Sequence, residues 1–374
     1  MHFNQIPGLN ELKDQLIATA ERGKVPHAML LSGKSGSPNL AVSLAFSTYL
    51  NCENQGSEDS CGQCPSCNKA LKYIHPDIHF VFPVSSTANI AAKDAKSKMF
   101  LKEWRGFLLN NPYGSIQDWT EAYGGADKQA FISVEESREI IRDLTLKSFE
   151  GKYKIVIIWL PELMRAEGAN ALLKFLEEPP ENTLIFMVTD QEDRLLTTIT
   201  SRTQRIGIRQ FSDLEVKEHL KVMNSVDPER ISQIAHLADG DIRLAEKLAG
   251  EIEDDTHGWV RDWMRLCYTK SFGDLVDLSE QFHAMNKVTR KSVLQYAINV
   301  LRESLVESEV SELTRVDGHE QTFVKNFSKV LQVETISNIY ELLNKSIYYL
   351  DRNASAKMVF LSLSIKISEQ LNLN

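Results

Sequence analysis

Leu30-Leu31-Ser32-Gly33-Lys34-Ser35-Gly36-Ser37-Pro38-Asn39-Leu40 is the stretch on which the fold turns. Ala28, Met29, Leu30 and Leu31 form an apolar run that leads into Gly33 and Gly36, and Leu40, Leu44, Ala45, Thr48 and Tyr49 then fall at helical spacing. Strand, glycine turn and helix in that order make a phosphate-binding loop, in which backbone N–H groups at the helix start cradle phosphates. Against Gly-x-x-x-x-Gly-Lys-Ser/Thr, Gly33 keeps the first position and the last three are changed. Pro38 replaces the second glycine and has no N–H. Asn39 replaces the lysine and brings no charge to the phosphates. Leu40 replaces the hydroxyl residue and cannot ligate magnesium. The expectation is the shape of a nucleotide site without its chemistry.

Working outward, the chain has 374 residues, enough for two or three domains with cores of their own. Hydrophobic residues at 43% and charged residues at 25% place it among ordinary globular proteins. A formal net charge of −9 argues against a protein that grips nucleic acid by itself. No apolar run approaches the roughly eighteen residues of a membrane span, and the start does not read as a signal peptide, so a cytoplasmic setting is expected.

Cys52, Cys61, Cys64 and Cys67 follow as Cys-x8-Cys-x2-Cys-x2-Cys. The two short steps bring three sulfurs round one turn, with Gly62 and Pro65 as turn residues, and Cys52 arrives from the end of the preceding helix. Four soft ligands suit one structural Zn2+, with no position open for a water. His75 and His79 lie close enough to compete as ligands, although His75-Pro76-Asp77 reads as a turn. Cys267 is expected to be a small buried hydrophobe.

His79-Phe-Val-Phe-Pro83 reads as a short strand, and 84–129 as an insertion with a helix around Met99–Leu109. The insertion's Trp104, Tyr113 and Trp119 are expected to pack within their own domain rather than form a contact surface. Ser133 and Glu136 have capping-box spacing. Lys154–Ile158 is a β-branched run for a strand buried on both faces, and it ends in Trp159-Leu160 where a nucleotide hydrolase has Asp-Glu. Ala169–Glu178 is a helix stopped by two prolines, Thr183–Thr189 another buried strand, and Arg194–Ile199 a short helix running into Ser201-Arg202-Thr203. Alternating strands and helices give a parallel α/β sheet. From Ser212 the pattern is helical, with Ser212, Asp227 and Asp241 as caps of three short helices.

In this order, Gly23-Lys-Val-Pro-His-Ala28, the four cysteines, Ala169-Asn-Ala-Leu-Leu-Lys174, Leu176-Glu-Glu-Pro-Pro180, Ser201-Arg202 and Asp351-Arg-Asn-Ala-Ser-Ala-Lys357 resemble the AAA+ clamp-loader family of bacterial DNA polymerase III. The changed phosphate loop points to its δ′ type of subunit. The resemblance implies an AAA+ α/β domain over 1–210, with a zinc module at 52–67 and the insertion at about 84–129. It also implies a three-helix lid over 211–250 and an all-α collar over 251–374 that joins a hetero-oligomer. Ser201-Arg202 matches the family's trans-acting arginine finger, with Thr203 in place of the usual cysteine. Without the family match, Arg202 would read as a surface arginine paired with a nearby acid. Arg243 falls where AAA+ proteins carry a sensor arginine, or else makes a structural ion pair.

The implied function is an ATP-inert subunit in DNA replication. It would complete a neighbour's ATPase site and help load the sliding clamp on primed DNA. Its implied partners are tau/gamma-type and delta-type subunits directly, and the clamp and primer-template DNA through the assembly. No ATP is expected on this chain. An ATP-hydrolysing tau/gamma-like motor is the alternative, with Asn39, Leu40, Trp159 and Leu160 against it. A zinc-dependent enzyme is a further alternative that would need an open metal position.

Overall fold

The computed structural model describes residues 1–374 except positions 89, 92–93, 126–127, 146–147, 224–227, 251–255, 286, 310–317, 329–330, 353 and 372–374. Two compact units divide at Gly250/Glu251. The first opens with α1 (Asn10–Glu21), whose Leu16 and Ile17 are buried, and continues through β1 (Ala28–Ser32) and α2 (Asn39–Leu50). Then come α3 (Pro65–Ala70), β2 (Ile78–Val81), α4 (Leu101–Asn110), α5 (Ile116–Ala122) and α6 (Val134–Leu144). β3 (Lys154–Trp159), α7 (Ala166–Glu177), β4 (Thr183–Thr189), α8 (Thr197–Thr200) and β5 (Gln204–Gly207) complete the α/β part. Helices α9 (Asp213–Val222), α10 (Pro228–Ala238) and α11 (Ile242–Gly250) close the unit.

The five strands form one parallel sheet in the order β2-β3-β4-β1-β5, with Leu30 opposite Met187 and Val156 opposite Ile185. β1, β3 and β4 are buried at every position, as strands covered by helices on both faces must be. One face packs Leu30, Val156 and Met187 against Ile140 and Leu144 of α6 and Leu172 and Leu176 of α7. α2 covers the other, with Phe46 stacked on Phe186 at 5.6 Å and all twelve of its residues buried.

Several elements depart from the sequence expectation for local reasons. β2 ends at Val81, because the Phe82 N–H donates to Ser97 Oγ (3.1 Å) and Pro83 has no N–H to offer. The helix expected over Arg194–Ile199 splits into a 3-10 turn (Glu192–Arg194) and α8. β5 carries no strand signal in its sequence: Gln-Arg-Ile-Gly has one buried residue and lies at the sheet edge. Ser133 caps α6, but Glu136 does not close the expected box; it turns to accept from Ser97 N (2.8 Å). At Ser212 the box is complete, with Glu215 as the returning partner. Asp241 Oδ1 caps α11 by accepting from Leu244 N (3.0 Å), while the cap expected at Asp227 lies outside the described residues.

The second unit is helical: α12 (Thr256–Thr269), α13 (Phe272–Ala284), α14 (Lys287–Glu309), α15 (Gly318–Ser328), α16 (Val333–Asp351) and α17 (Ala356–Leu371). Trp263, Phe282 and Phe360 are its fully buried aromatic centre, and Cys267 is buried beside Ser364. No helix among the described residues is long and apolar enough to cross a membrane.

Candidate functional site: phosphate loop and four-cysteine cluster

The loop between β1 and α2 has the turn that a phosphate loop needs. Gly36 lies at φ +86°, and a Cβ there would meet Asp241 side-chain atoms at 2.6 Å, so both conformation and contact demand glycine. Asn39, in place of the lysine, is buried and its amide nitrogen is engaged: Nδ2 donates to Thr189 O (2.9 Å) at the end of β4 and weakly to Gly33 O (3.4 Å). Leu40 is buried, and Pro38 precedes the first residue of α2 with no side-chain cap. On the neighbouring strand Trp159 and Leu160 are also buried, and Trp159 packs against Trp104 at 5.1 Å and Phe107 at 5.9 Å. Positions 39, 40, 159 and 160 therefore hold one amide and three apolar side chains, while Lys34, Ser35, Ser37 and Asp190 line the cavity beside them.

What remains is a cavity of about 40 Å³, walled by the loop (Lys34, Gly36, Asn39), by Trp159 and Thr189, by Tyr113, and by Arg243. Arg243 is not free to meet a phosphate. Its Nη2 lies 3.1 Å from Asp241 Oδ2 and its Nη1 3.6 Å from Asp118 Oδ2, which is the structural ion pair. Asp118 also pairs with Lys247 and accepts from Ser115 N (2.8 Å). Burial works to raise the Asp118 carboxyl, but Lys247 and Ser115 outweigh it and hold it below the usual value. Trp104 and Trp119 are buried within the α/β part as expected, whereas Tyr113 is buried with its ring against Phe211 and His219 of the three-helix segment.

Arg202 follows α8 and is half-buried; its Nε lies 2.5 Å from Glu177 Oε1, and Nη1 donates to Thr198 O (3.0 Å). Ser201 is exposed beside it, and its Oγ donates to Thr198 O at 3.3 Å. In the isolated chain Arg202 is thus the acid-paired arginine, with a polar side still open.

The four cysteines converge: their Sγ atoms all lie within 4.8 Å of one another, with Cys61 and Cys67 sulfurs 4.0 Å apart. That is about twice a disulfide bond. Backbone N–H groups donate to these sulfurs, Cys61 to Cys52 Sγ (3.3 Å), Cys64 to Cys61 Sγ (3.4 Å) and Cys67 to Cys64 Sγ (3.4 Å). Such bonds favour thiolates. The Cys61 thiol is brought down to about 6 by the N–H groups of Gln63 and Cys64, whereas burial pushes Cys52 and Cys67 up. A cluster of this shape fits a tetrahedral metal such as zinc, whose charge would offset that burial. His75 and His79 are not among the ligands. Buried His75 instead has Nε2 3.0 Å from Ser66 Oγ, and its Nδ1 accepts from Asp77 N (3.1 Å), which ties α3 to the entry of β2.

Asp118 and Lys247 carry no mark of this pairing in the sequence, and Asp241 is marked only as a helix cap. Asp118 and Lys247 are 129 positions apart, and only the spacing of Ser115 and Asp118, a capping box, hints at order there.

Comparison with known proteins fits this geometry. The chain is 30% identical to the DNA polymerase III subunit delta' of Yersinia pestis over 54% of its length and 46% of that protein. It is 25% identical to the Bacillus subtilis delta' subunit over 61% of its length and 57% of the relative. It is also 25% identical to the DNA polymerase III subunit gamma of Buchnera aphidicola, over 66% of its length and 57% of the relative. These matches span about half the length of the curated relatives. A family described as DNA polymerase III, delta subunit, matches residues 8–212, more than half of the chain. The chain belongs to that DNA polymerase III delta-subunit family and is δ′-like within it.

Proposed function

We propose that the protein is a clamp-loader subunit of DNA polymerase III that binds no ATP of its own and serves a neighbouring ATPase subunit in DNA replication. The carrying observation is Asn39. The residue in the lysine position spends its amide on Thr189 O, while Leu40, Trp159 and Leu160 fill the magnesium positions with apolar groups. In this reading Arg202 reaches a γ-phosphate held by the next subunit. Guanidinium suits that task because it is always charged and grips phosphate oxygens bidentately. Glu177 would hold Arg202 until the neighbour's phosphate takes over. Partners of tau/gamma and delta type, and through them the sliding clamp and primer-template DNA, belong to the same proposal, as does one structural zinc on Cys52, Cys61, Cys64 and Cys67.

The match to a gamma subunit favours one second reading, an ATP-hydrolysing subunit. Calorimetry of the isolated chain with magnesium-ATP separates the two: no binding is expected, and magnesium-dependent micromolar binding would establish the second. The finger is tested in an assembly where only the neighbouring site can hydrolyse ATP. There Arg202→Ala should lower DNA-stimulated turnover by about 10³–10⁵-fold, with folding and zinc content unchanged. Arg202→Lys should rescue poorly, since a point charge lacks the planar fork. Turnover at the wild-type rate in Arg202→Ala would return Arg202 to the role of a surface arginine.

A further inference from the structure

The cavity beside the phosphate loop is narrowed by the chain itself. The insertion brings Pro112, Tyr113, Gly114, Ser115 and Ile116 to the wall of the cavity facing the loop residues Lys34–Ser37. What they leave, about 40 Å³, is far below the roughly 300–1,000 Å³ of a small-molecule site. Tyr113 is wedged there, its ring against Phe211 at 5.8 Å and His219 at 6.3 Å, and burial pushes its hydroxyl well above the ordinary value. Its neighbours belong to the α9 region, so one side chain touches both the loop side and the three-helix segment.

The opposite end of the insertion rests on the altered strand. Trp104 stacks on Phe82 at 4.1 Å and meets Trp119 at 5.0 Å and Trp159 at 5.1 Å. Trp159 occupies the position of a magnesium-binding acid, so the change that removed the acid also supplies the platform for the insertion. Charge makes the third contact. Asp118, at the start of α5, faces Lys247 and Arg243 of α11, and Arg243 continues to Asp241, whose side chain occupies the space a Cβ on Gly36 of the loop would need. Asp118 and Asp241 are only 12% and 13% exposed, so this is no freely solvated surface pair.

We propose that residues 112–116 are an internal occupant of the former nucleotide site, and that the adjoining Asp118 fastens α9–α11 to the α/β part without any nucleotide. The proposal rests on the ATP-inert reading given above and adds what has taken the nucleotide's place. Hydrogen exchange of the full chain, followed by mass spectrometry with and without millimolar magnesium-ATP, tests it in wild type, Asp118→Asn and Lys247→Met. The first variant keeps a capping oxygen and removes the charge; the second keeps the aliphatic stem of a half-buried side chain, so both should fold. Amides of α9 and α11 should exchange on the order of ten- to a hundredfold faster in each variant, as expected for loss of a charged hydrogen bond that closes a local opening. Exchange in β3 and β4 should be unchanged. The swapped pair Asp118→Lys with Lys247→Asp should recover part of the protection. Magnesium-ATP should change nothing in wild type. Exchange in α9 and α11 at the wild-type rate in both variants, with ATP still inert, would overturn this inference alone. Slower exchange of wild-type α9 and α11 on adding magnesium-ATP would overturn it together with the ATP-inert reading.

Discussion

A lysine introduced at position 39 would lose the amide contacts to Thr189 O and Gly33 O and would bring an ammonium group into a site that is 5% exposed. Asn39→Lys should therefore destabilise the first unit by about 1–3 kcal/mol in denaturant unfolding without creating ATP binding, which calorimetry checks. The missing strand-end acid at Trp159 explains why the charge alone is not enough. Glu177→Ala should behave differently. Its pair with Arg202 is solvent-exposed on the acid side, so stability should stay within about 0.5 kcal/mol of wild type. At this scale the sequence reveals chemistry that is gone, because a proline, an amide and a leucine cannot do what Gly, Lys and Ser do. It does not reveal where the Asn39 amide turns, since its acceptor is 150 positions away.

The cysteine module is the element most legible in advance, because ligand spacing is a local property of the chain. Its setting is not local. Ser66 Oγ donates to Asn51 O (2.6 Å), and the Asn51 side chain makes paired bonds to Tyr153 O and N, each 2.9 Å, at the start of β3. Cys64→Ser, or a strong chelator, should abolish one equivalent of zinc by metal analysis and loosen α3 and its links to β3, while the helices of the second unit keep their circular-dichroism signal. A zinc-free native preparation would remove that metal assignment. β5 shows the opposite case. Gln204–Gly207 has neither an apolar run nor alternation, and becomes a strand only because β1 offers it an open edge. The half-made box at Ser133 has the same cause: a tertiary partner, Ser97, outbids the local one.

At the scale of the whole first unit, Glu215 ties the start of α9 to Leu9, 206 positions away. It accepts Arg209 in a bidentate pair at 2.7 Å, Ser212 N at 2.8 Å and Leu9 N at 3.2 Å. Burial works against its charged form, but Arg209 and the two backbone N–H groups prevail and hold the carboxyl at about 2, below the ordinary 4.5. The stability it contributes is complete above the ordinary value and is lost as pH falls towards 2. Denaturation midpoints of the first unit should therefore drop between about pH 6 and pH 3 more in wild type than in Glu215→Gln. The strand order has a consequence for synthesis. Ala28 of β1 pairs with Ile185, 157 positions later, and its other neighbour β5 is made later still. At roughly 5–20 residues per second, the wholly apolar start of β1 waits on the order of 8–30 s at the ribosome with neither edge paired. Nascent chains stalled before Thr183 should consequently bind chaperones or aggregate, and those released after Gly207 should not.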